Sequence, residues 1–122
     1  MSTARNGSLS LFWEDVAGSI DAPVLLLVNG LGNQCIAHRR EMCETFARAG
    51  FRVIRFDNRD VGLSDDGPDG YGLSDMADDA VAVLDAAGVD RAVVMGSSLG
   101  GMLVQTLAIE HPERLLAAVS VM

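Results

Sequence analysis

The chain has 122 residues, of which 49% are hydrophobic and 21% charged, and its formal net charge is −8. This composition is typical of a folded domain, and the length suits one hydrophobic core, so we expect a single domain over residues 1–122. All nine basic residues are arginines. Without lysine there is no Walker-type phosphate loop and no Schiff-base mechanism, and the acidic balance argues against nucleic-acid binding. Hydrolases, dehydrogenases and binding domains remain.

The first half of the chain predicts a hairpin, a buried strand and a helix. Asn6-Gly7 is typical of a two-residue hairpin turn, and residues 8–13 alternate like a half-buried strand. The apolar run 24–28 predicts a strand buried on both faces of a parallel sheet. Apolar residues at helical spacing then predict a helix over residues 36–49.

The second half alternates strands with helices. Ser74 is the predicted N-cap of a helix, and the apolar segment at the end of the chain predicts a buried strand. The remaining elements are predicted as strands over 51–56, 92–95 and 115–121 and helices over 74–87 and 99–111. This order predicts an α/β fold: a three-layer α/β/α sandwich whose six strands are mostly parallel after an N-terminal hairpin.

The N-terminus and the cysteines favour a cytoplasmic protein. The first residues, MSTARNGS, lack the apolar stretch of a signal peptide, and no apolar run is long enough to span a membrane. Cys35 and Cys43 lack a CxxC spacing, so we expect two reduced thiols. We therefore expect no membrane partner.

Residues 96–100, Gly-Ser-Ser-Leu-Gly, match the Gly-x-Ser-x-Gly pattern of a nucleophile elbow. Gly96 and Gly100 permit a sharp strand-to-helix turn that exposes the serine hydroxyl. Only Ser98 has glycine two residues before and two residues after it, so Ser98 rather than Ser97 is the predicted nucleophile. The predicted strand before the motif and the apolar helix after it support this assignment.

A second glycine-rich turn, Asn29-Gly30-Leu31-Gly32, follows the first buried strand. Acyl transfer needs two backbone N–H groups directed at the oxyanion that forms on the substrate. Leu31 in this turn and Leu99 beside the nucleophile are the predicted donors.

The same glycines have an alternative interpretation as part of a dinucleotide site. Gly30 and Gly32 would bind the pyrophosphate, and Asp57 at the end of the next strand would bind the ribose. The full fingerprint requires a third glycine where Cys35 stands, so this oxidoreductase hypothesis is the weaker one.

Together these motifs resemble the α/β-hydrolase superfamily over essentially the whole chain. Its features are the hairpin, the strand followed by Asn29-Gly30, the loop over residues 57–64, the serine elbow and the segment HPERL at 111–115. The loop resembles the esterase branch that includes aclacinomycin methylesterase-like enzymes. Two departures are Asn29, where the superfamily usually has histidine, and Asp60, where it usually has glycine.

The resemblance implies hydrolysis of a small-molecule carboxylic ester through an acyl-Ser98 intermediate, with no metal or organic cofactor. It also implies that Asp57 and Arg59 shape their loop rather than catalyse. His111 follows Ser98 but stands at the far end of the predicted helix, roughly 20 Å away. His38, at the start of the first helix, is expected to be solvated.

A catalytic histidine, its acid partner and a cap are therefore missing from the predicted site. We expect a chain truncated before these parts, the N-terminal portion of such a hydrolase, and the alternative is a non-catalytic truncated module. Residues 115–121 are apolar on both faces, so we also expect self-association through this strand.

Overall fold

A computed structural model describes residues 2–121, which form six strands and three α-helices. The strands are β1 (Ser2–Asn6), β2 (Leu9–Ala17), β3 (Val24–Val28), β4 (Arg52–Phe56), β5 (Ala92–Ser97) and β6 (Leu115–Val121). The helices are α1 (Arg40–Arg48), α2 (Leu73–Ala86) and α3 (Leu99–Glu110). Single 3₁₀ turns lie at Cys35–Ala37 and Pro112–Arg114.

The strands form one sheet in the order β1-β2-β4-β3-β5-β6. The pairs β1–β2 and β2–β4 are antiparallel, and the pairs β4–β3, β3–β5 and β5–β6 are parallel. The predicted six-stranded, mostly parallel sheet with an N-terminal hairpin is confirmed. The parallel strands bring the loops after β3, β4 and β5 to the same edge of the sheet.

Strand β3 is buried on both faces, as its apolar sequence predicted. Leu26 and Val28 pack in the core shared with α2 and α3, whereas Leu25 and Leu27 pack in a second core with Cys43 of α1. Side chains alternate across a strand, so the sheet is covered by α1 on one face and by α2 and α3 on the other. This arrangement confirms the three-layer sandwich. No helix within residues 2–121 has the length and apolar character needed to cross a bilayer.

Two predicted element boundaries in the first half were wrong. Asn6 pairs with Leu9, so the hairpin loop is Gly7-Ser8, with Gly7 at a φ of 59°. The predicted helix over 36–49 is a 3₁₀ turn and α1, separated by extended backbone at His38 and Arg39. The His38 carbonyl accepts a hydrogen bond from the Arg55 guanidinium instead of continuing a helical ladder.

The predicted N-cap of α2 was also wrong. The helix begins at Leu73 with Gly72 as its N-cap residue. The Asp75 carboxylate accepts a hydrogen bond from the Gly72 N–H at 2.8 Å, which places a negative charge in the first turn. The Ser74 hydroxyl instead donates to Glu110 of α3 at 2.7 Å.

Strand β6 is an exposed edge and not the buried strand that its sequence predicted. Leu115 is half-buried, and residues 116–121 are exposed. Among the described residues β6 pairs only with β5, and α3 is the helix packed beside it. Apolar sequence alone predicted burial on both faces, but burial also requires neighbours on both sides.

Candidate functional site

The turn between β5 and α3 holds Ser98 in an unusual backbone conformation. Its φ is 56° and its ψ is −123°, in a region that non-glycine residues rarely occupy, and the residue is exposed. A Cβ on Gly96 would lie 2.3 Å from the Gly100 carbonyl oxygen, and one on Gly100 would lie 2.4 Å from the Val28 carbonyl oxygen. The strand and helix therefore meet too closely for a side chain at either glycine, and the serine stands out from the sheet edge.

The loop after β3 lies against this turn. A Cβ on Gly30 would lie 3.6 Å from the Ser98 Cβ, which places the loop beside the serine. Asn29 is 2% exposed, and its Nδ2 donates to the Phe56 carbonyl at 3.1 Å. The Asn29 carbonyl in turn accepts a bond from Asn58 Nδ2 at 3.3 Å. These two amide bonds tie the loop to the end of β4.

The two residues predicted to supply the oxyanion donors, Leu31 and Leu99, lie at one cavity. Neither the Leu31 N–H nor the Leu99 N–H has a hydrogen-bond partner among residues 2–121. Both residues line a cavity of about 400 Å³, within the range of small-molecule sites. Its other lining residues are Gly30, Gly32, Asn58, Arg59, Asp60, Val61, Tyr71, Gly72, Leu73 and Met76. Two free donors beside an exposed serine can stabilise a negative oxygen on a bound carbonyl compound.

Asp57 is committed to holding two loops together. Its Oδ1 accepts the Cys35 N–H at 2.7 Å, its Oδ2 accepts the Leu63 N–H at 2.9 Å, and the residue is 3% exposed. Gly62 is required beside it, because a Cβ there would lie 2.3 Å from the carboxylate. The carboxylate is thus not available to a ribose, which removes the basis of the dinucleotide hypothesis. Asp57 has the loop-shaping role that the resemblance implied.

Arg59 pairs with a residue that the sequence did not single out. Its Nε lies 2.6 Å from one carboxylate oxygen of Asp79, and its Nη2 lies 2.9 Å from the other. Asp79 is 1% exposed and also accepts a bond from Asn6 Nδ2 at 2.8 Å. The sequence spacing could have indicated that Asp79 is buried. It is three residues after Met76 and four before Val83, which places it on the buried face of α2.

Neither histidine forms a hydrogen bond with Ser98 among residues 2–121. His111 Nε2 lies 2.9 Å from a carboxylate oxygen of Asp78, at the far end of α3. His38 is half-buried rather than solvated, and it lines a second cavity of about 190 Å³ together with Ser97. Its Nε2 is buried and has no hydrogen-bond partner among residues 2–121, and burial, assisted by the Arg55 charge, lowers the pKa of its imidazole. Within the described chain, no group of three His, Cys, Asp or Glu side chains could hold a metal ion.

Comparison of the sequence with known proteins identifies relatives that are hydrolases. A methylesterase, the rhodomycin D methylesterase DauP of Streptomyces sp. strain C5, is 42% identical over 88% of this chain and 37% of its own. The putative carbamate hydrolase RutD of Variovorax paradoxus is 37% identical over 88% of this chain and 40% of its own. The chain thus spans about two fifths of the length of these relatives.

Solved structures give the same family. Est816, described as an N-acyl homoserine lactone degrading enzyme, superposes with a TM-score of 0.84 and 31% identity over 94% of this chain and 42% of its own. The enol-lactonase of Burkholderia xenovorans superposes with a TM-score of 0.85 and 26% identity over 93% of this chain and 44% of its own. The family profile described as alpha/beta hydrolase fold matches residues 23–122. The chain belongs to the alpha/beta hydrolase fold family.

Proposed function

We propose that this chain carries the nucleophile and the oxyanion hole of a serine hydrolase acting on a carboxylic ester of a small molecule. The observation that carries the proposal is the position of Ser98. It is exposed on a strained turn, beside a cavity lined by two residues whose backbone N–H groups have no hydrogen-bond partner in the part of the chain that the structure describes. That combination supplies an electron-rich oxygen and preorganised donors at one place.

In the proposed reaction the Ser98 oxygen attacks the ester carbonyl carbon. The carbonyl oxygen becomes an oxyanion that the N–H groups of Leu31 and Leu99 stabilise. Collapse of this intermediate breaks the bond to the alkoxy oxygen, which leaves as an alcohol after taking a proton, and acyl-Ser98 remains. Water then attacks the acyl group, releasing the carboxylic acid and restoring the serine hydroxyl. No step calls for a metal or an organic cofactor.

A general base must remove the serine proton, and neither histidine of the described chain is hydrogen-bonded to Ser98. The proposal therefore places the base and its carboxylate partner outside residues 2–121. Without that base, the residues described here give a weakly activated hydroxyl.

The comparisons support an ester as the substrate. The names of the relatives include a methylesterase, a putative carbamate hydrolase and a lactone-degrading enzyme, and each of these substrates presents a carbonyl with a heteroatom leaving group. The methylesterase is 42% identical to this chain, compared with 37% for the putative carbamate hydrolase. We therefore favour an ester over a carbamate.

Labelling with a small ethyl fluorophosphonate probe tests the proposal. The probe should modify the peptide around Ser98, slowly where no imidazole reaches the hydroxyl, and Ser98→Ala should abolish the adduct. Ser97→Ala is the matched control, since it removes the neighbouring exposed hydroxyl and should leave labelling unchanged. Adducts at Ser97 would contradict the assignment, and no adduct at all would favour a non-catalytic module.

A further inference from the structure

Asp60 occupies a position that the resemblance assigns to glycine. Its φ is 68°, in the left-handed region where a non-glycine side chain costs free energy unless local bonds offset the cost. One carboxylate oxygen accepts the Gly67 N–H at 2.7 Å, and the other accepts the Tyr71 hydroxyl. The strained aspartate thus ties the loop after β4 to the segment that enters α2.

The Tyr71 ring is held from a second direction. The guanidinium carbon of Arg59 lies 4.8 Å from the ring centroid, a distance that suits a cation–π contact. Arg59 is fixed by its buried pair with Asp79. Both the hydroxyl and one face of the ring therefore have defined partners.

The Tyr71 ring forms part of the wall of the larger cavity. Tyr71 lines it together with Leu31 and Leu99, the two residues with free N–H groups, and with the apolar side chain of Met76. An aromatic surface fixed in advance loses little conformational entropy when a ligand packs on it. Tyr71 is half-buried and leaves part of its surface open to a ligand.

We infer that Tyr71 is a specificity-determining residue that contacts the apolar part of the ester, and that Asp60 and Arg59 are positioning residues for its ring. This inference rests on the proposed function, because it assigns the cavity beside Ser98 to the substrate. The bond to Tyr71 lowers the pKa of the Asp60 carboxyl, and the bond to Asp60 raises the pKa of the Tyr71 phenol. The donor and the acceptor therefore keep their hydrogen-bonding forms across neutral pH.

Equilibrium binding of methyl 2-naphthoate, followed by its own fluorescence, tests the inference without any chemical step. Tyr71→Ala removes the ring and should raise the dissociation constant about tenfold. Tyr71→Phe and Asp60→Gly each keep the ring but remove its hydrogen bond, and each should raise the constant about threefold. The double variant should be no worse than either single one, since both remove the same bond.

Two further variants distinguish positioning from general effects. Asp60→Asn keeps an acceptor oxygen and tolerates left-handed backbone, so it should bind more tightly than Asp60→Gly. Asp66→Asn removes an equal charge from an exposed residue of the same loop, and binding should be unchanged.

Three results would each overturn the inference. Tyr71→Ala could bind the probe as tightly as the wild type, or Asp66→Asn and Asp60→Gly could lose equal affinity. In the third, the double variant would show the product of the two single losses in affinity. A wild-type chain that does not bind the probe would also overturn the inference. Labelling reports on the Ser98 hydroxyl and naphthoate binding reports on the cavity wall, so failure of Ser98 labelling and failure of naphthoate binding are separate results.

Discussion

At the scale of single residues, Ser98 shows how the fold maintains a strained conformation. A non-glycine residue in such a region costs about 1–3 kcal/mol. Its N–H donates to the Val121 carbonyl at 2.9 Å, and its own carbonyl accepts the Met102 N–H at 3.1 Å. The sheet and the helix thus fix the backbone on both sides of the side chain, and the hydroxyl is exposed by geometry that neither element could impose alone.

His38 gives a prediction at the same scale, because its folded environment favours the neutral imidazole. Burial, assisted by the Arg55 charge, lowers the pKa of His38 below the ordinary value of 6.5. The unfolded chain then binds a proton more readily than the folded chain, so stability is full above about pH 6.5 and falls as the pH drops towards the folded-state pKa. In urea unfolding, the free energy of unfolding should decrease less for His38→Asn than for the wild type between about pH 6.5 and pH 5.

His111→Asn is the control for this measurement. It removes the other histidine of the chain and leaves the surroundings of His38 unchanged, so the acid-side fall should persist. Equal pH profiles for the wild type and His38→Asn would show that burial of this imidazole does not contribute to the pH dependence.

At the scale of elements, the local sequence predicted the strands and turns that depend only on contacts between neighbouring residues. The apolar run of β3 and the Gly-x-Ser-x-Gly turn are complete within a few residues, so the strand and the turn could be predicted. The break between the 3₁₀ turn and α1 depends on Arg55, which lies 17 residues beyond His38. The hydrogen bond between Asp60 and Tyr71 and the pair of Arg59 with Asp79 also join separate segments, and periodicity within one element does not show such contacts.

Asp79 connects three elements, which makes it the basis of a stability prediction. It pairs with Arg59 in the loop after β4 and accepts a bond from Asn6 of β1. Asp79→Ala would leave the Arg59 charge buried without its partner, which costs about 3–5 kcal/mol. Chemical denaturation should show this loss, or the variant should be unfolded outright.

Asp85→Ala on the same helix is the matched control. Asp85 pairs with Arg114 at 2.8 Å, but its side chain is 63% exposed, and such pairs contribute about 0–1 kcal/mol. Equal losses in the two variants would mean that the buried pair contributes no more than a surface one.

At the scale of the whole molecule, the alternation of strands and helices predicted the layers, but the sequence did not specify the strand order. β2 pairs with β4 rather than with β3, and β3 lies between β4 and β5. That order follows from tertiary packing and places the loops carrying Gly30 and Ser98 side by side at the edge of adjacent strands. The exposure of β6 is likewise a property of the assembled sheet, since it depends on which strands lie beside it.

The exposed edge leads to the final prediction, that the chain self-associates through β6. Leu116 is 53% exposed and Val119 is 40% exposed, and the strand has one paired side among the residues described. Pairing would satisfy its free backbone groups and bury apolar area at about 25 cal/mol per Å². The net charge of −8 opposes the approach of two copies, so raising the salt concentration should strengthen association by screening this repulsion.

Sedimentation velocity at micromolar concentration should show oligomers that increase with salt. Leu116→Lys should weaken association, whereas Ile109→Lys, which makes the same charge change on α3 at a residue that is 79% exposed, should not. A sharp monomer boundary for the wild type, together with a cooperative thermal transition, would contradict the prediction, because the edge would then be stable without a partner.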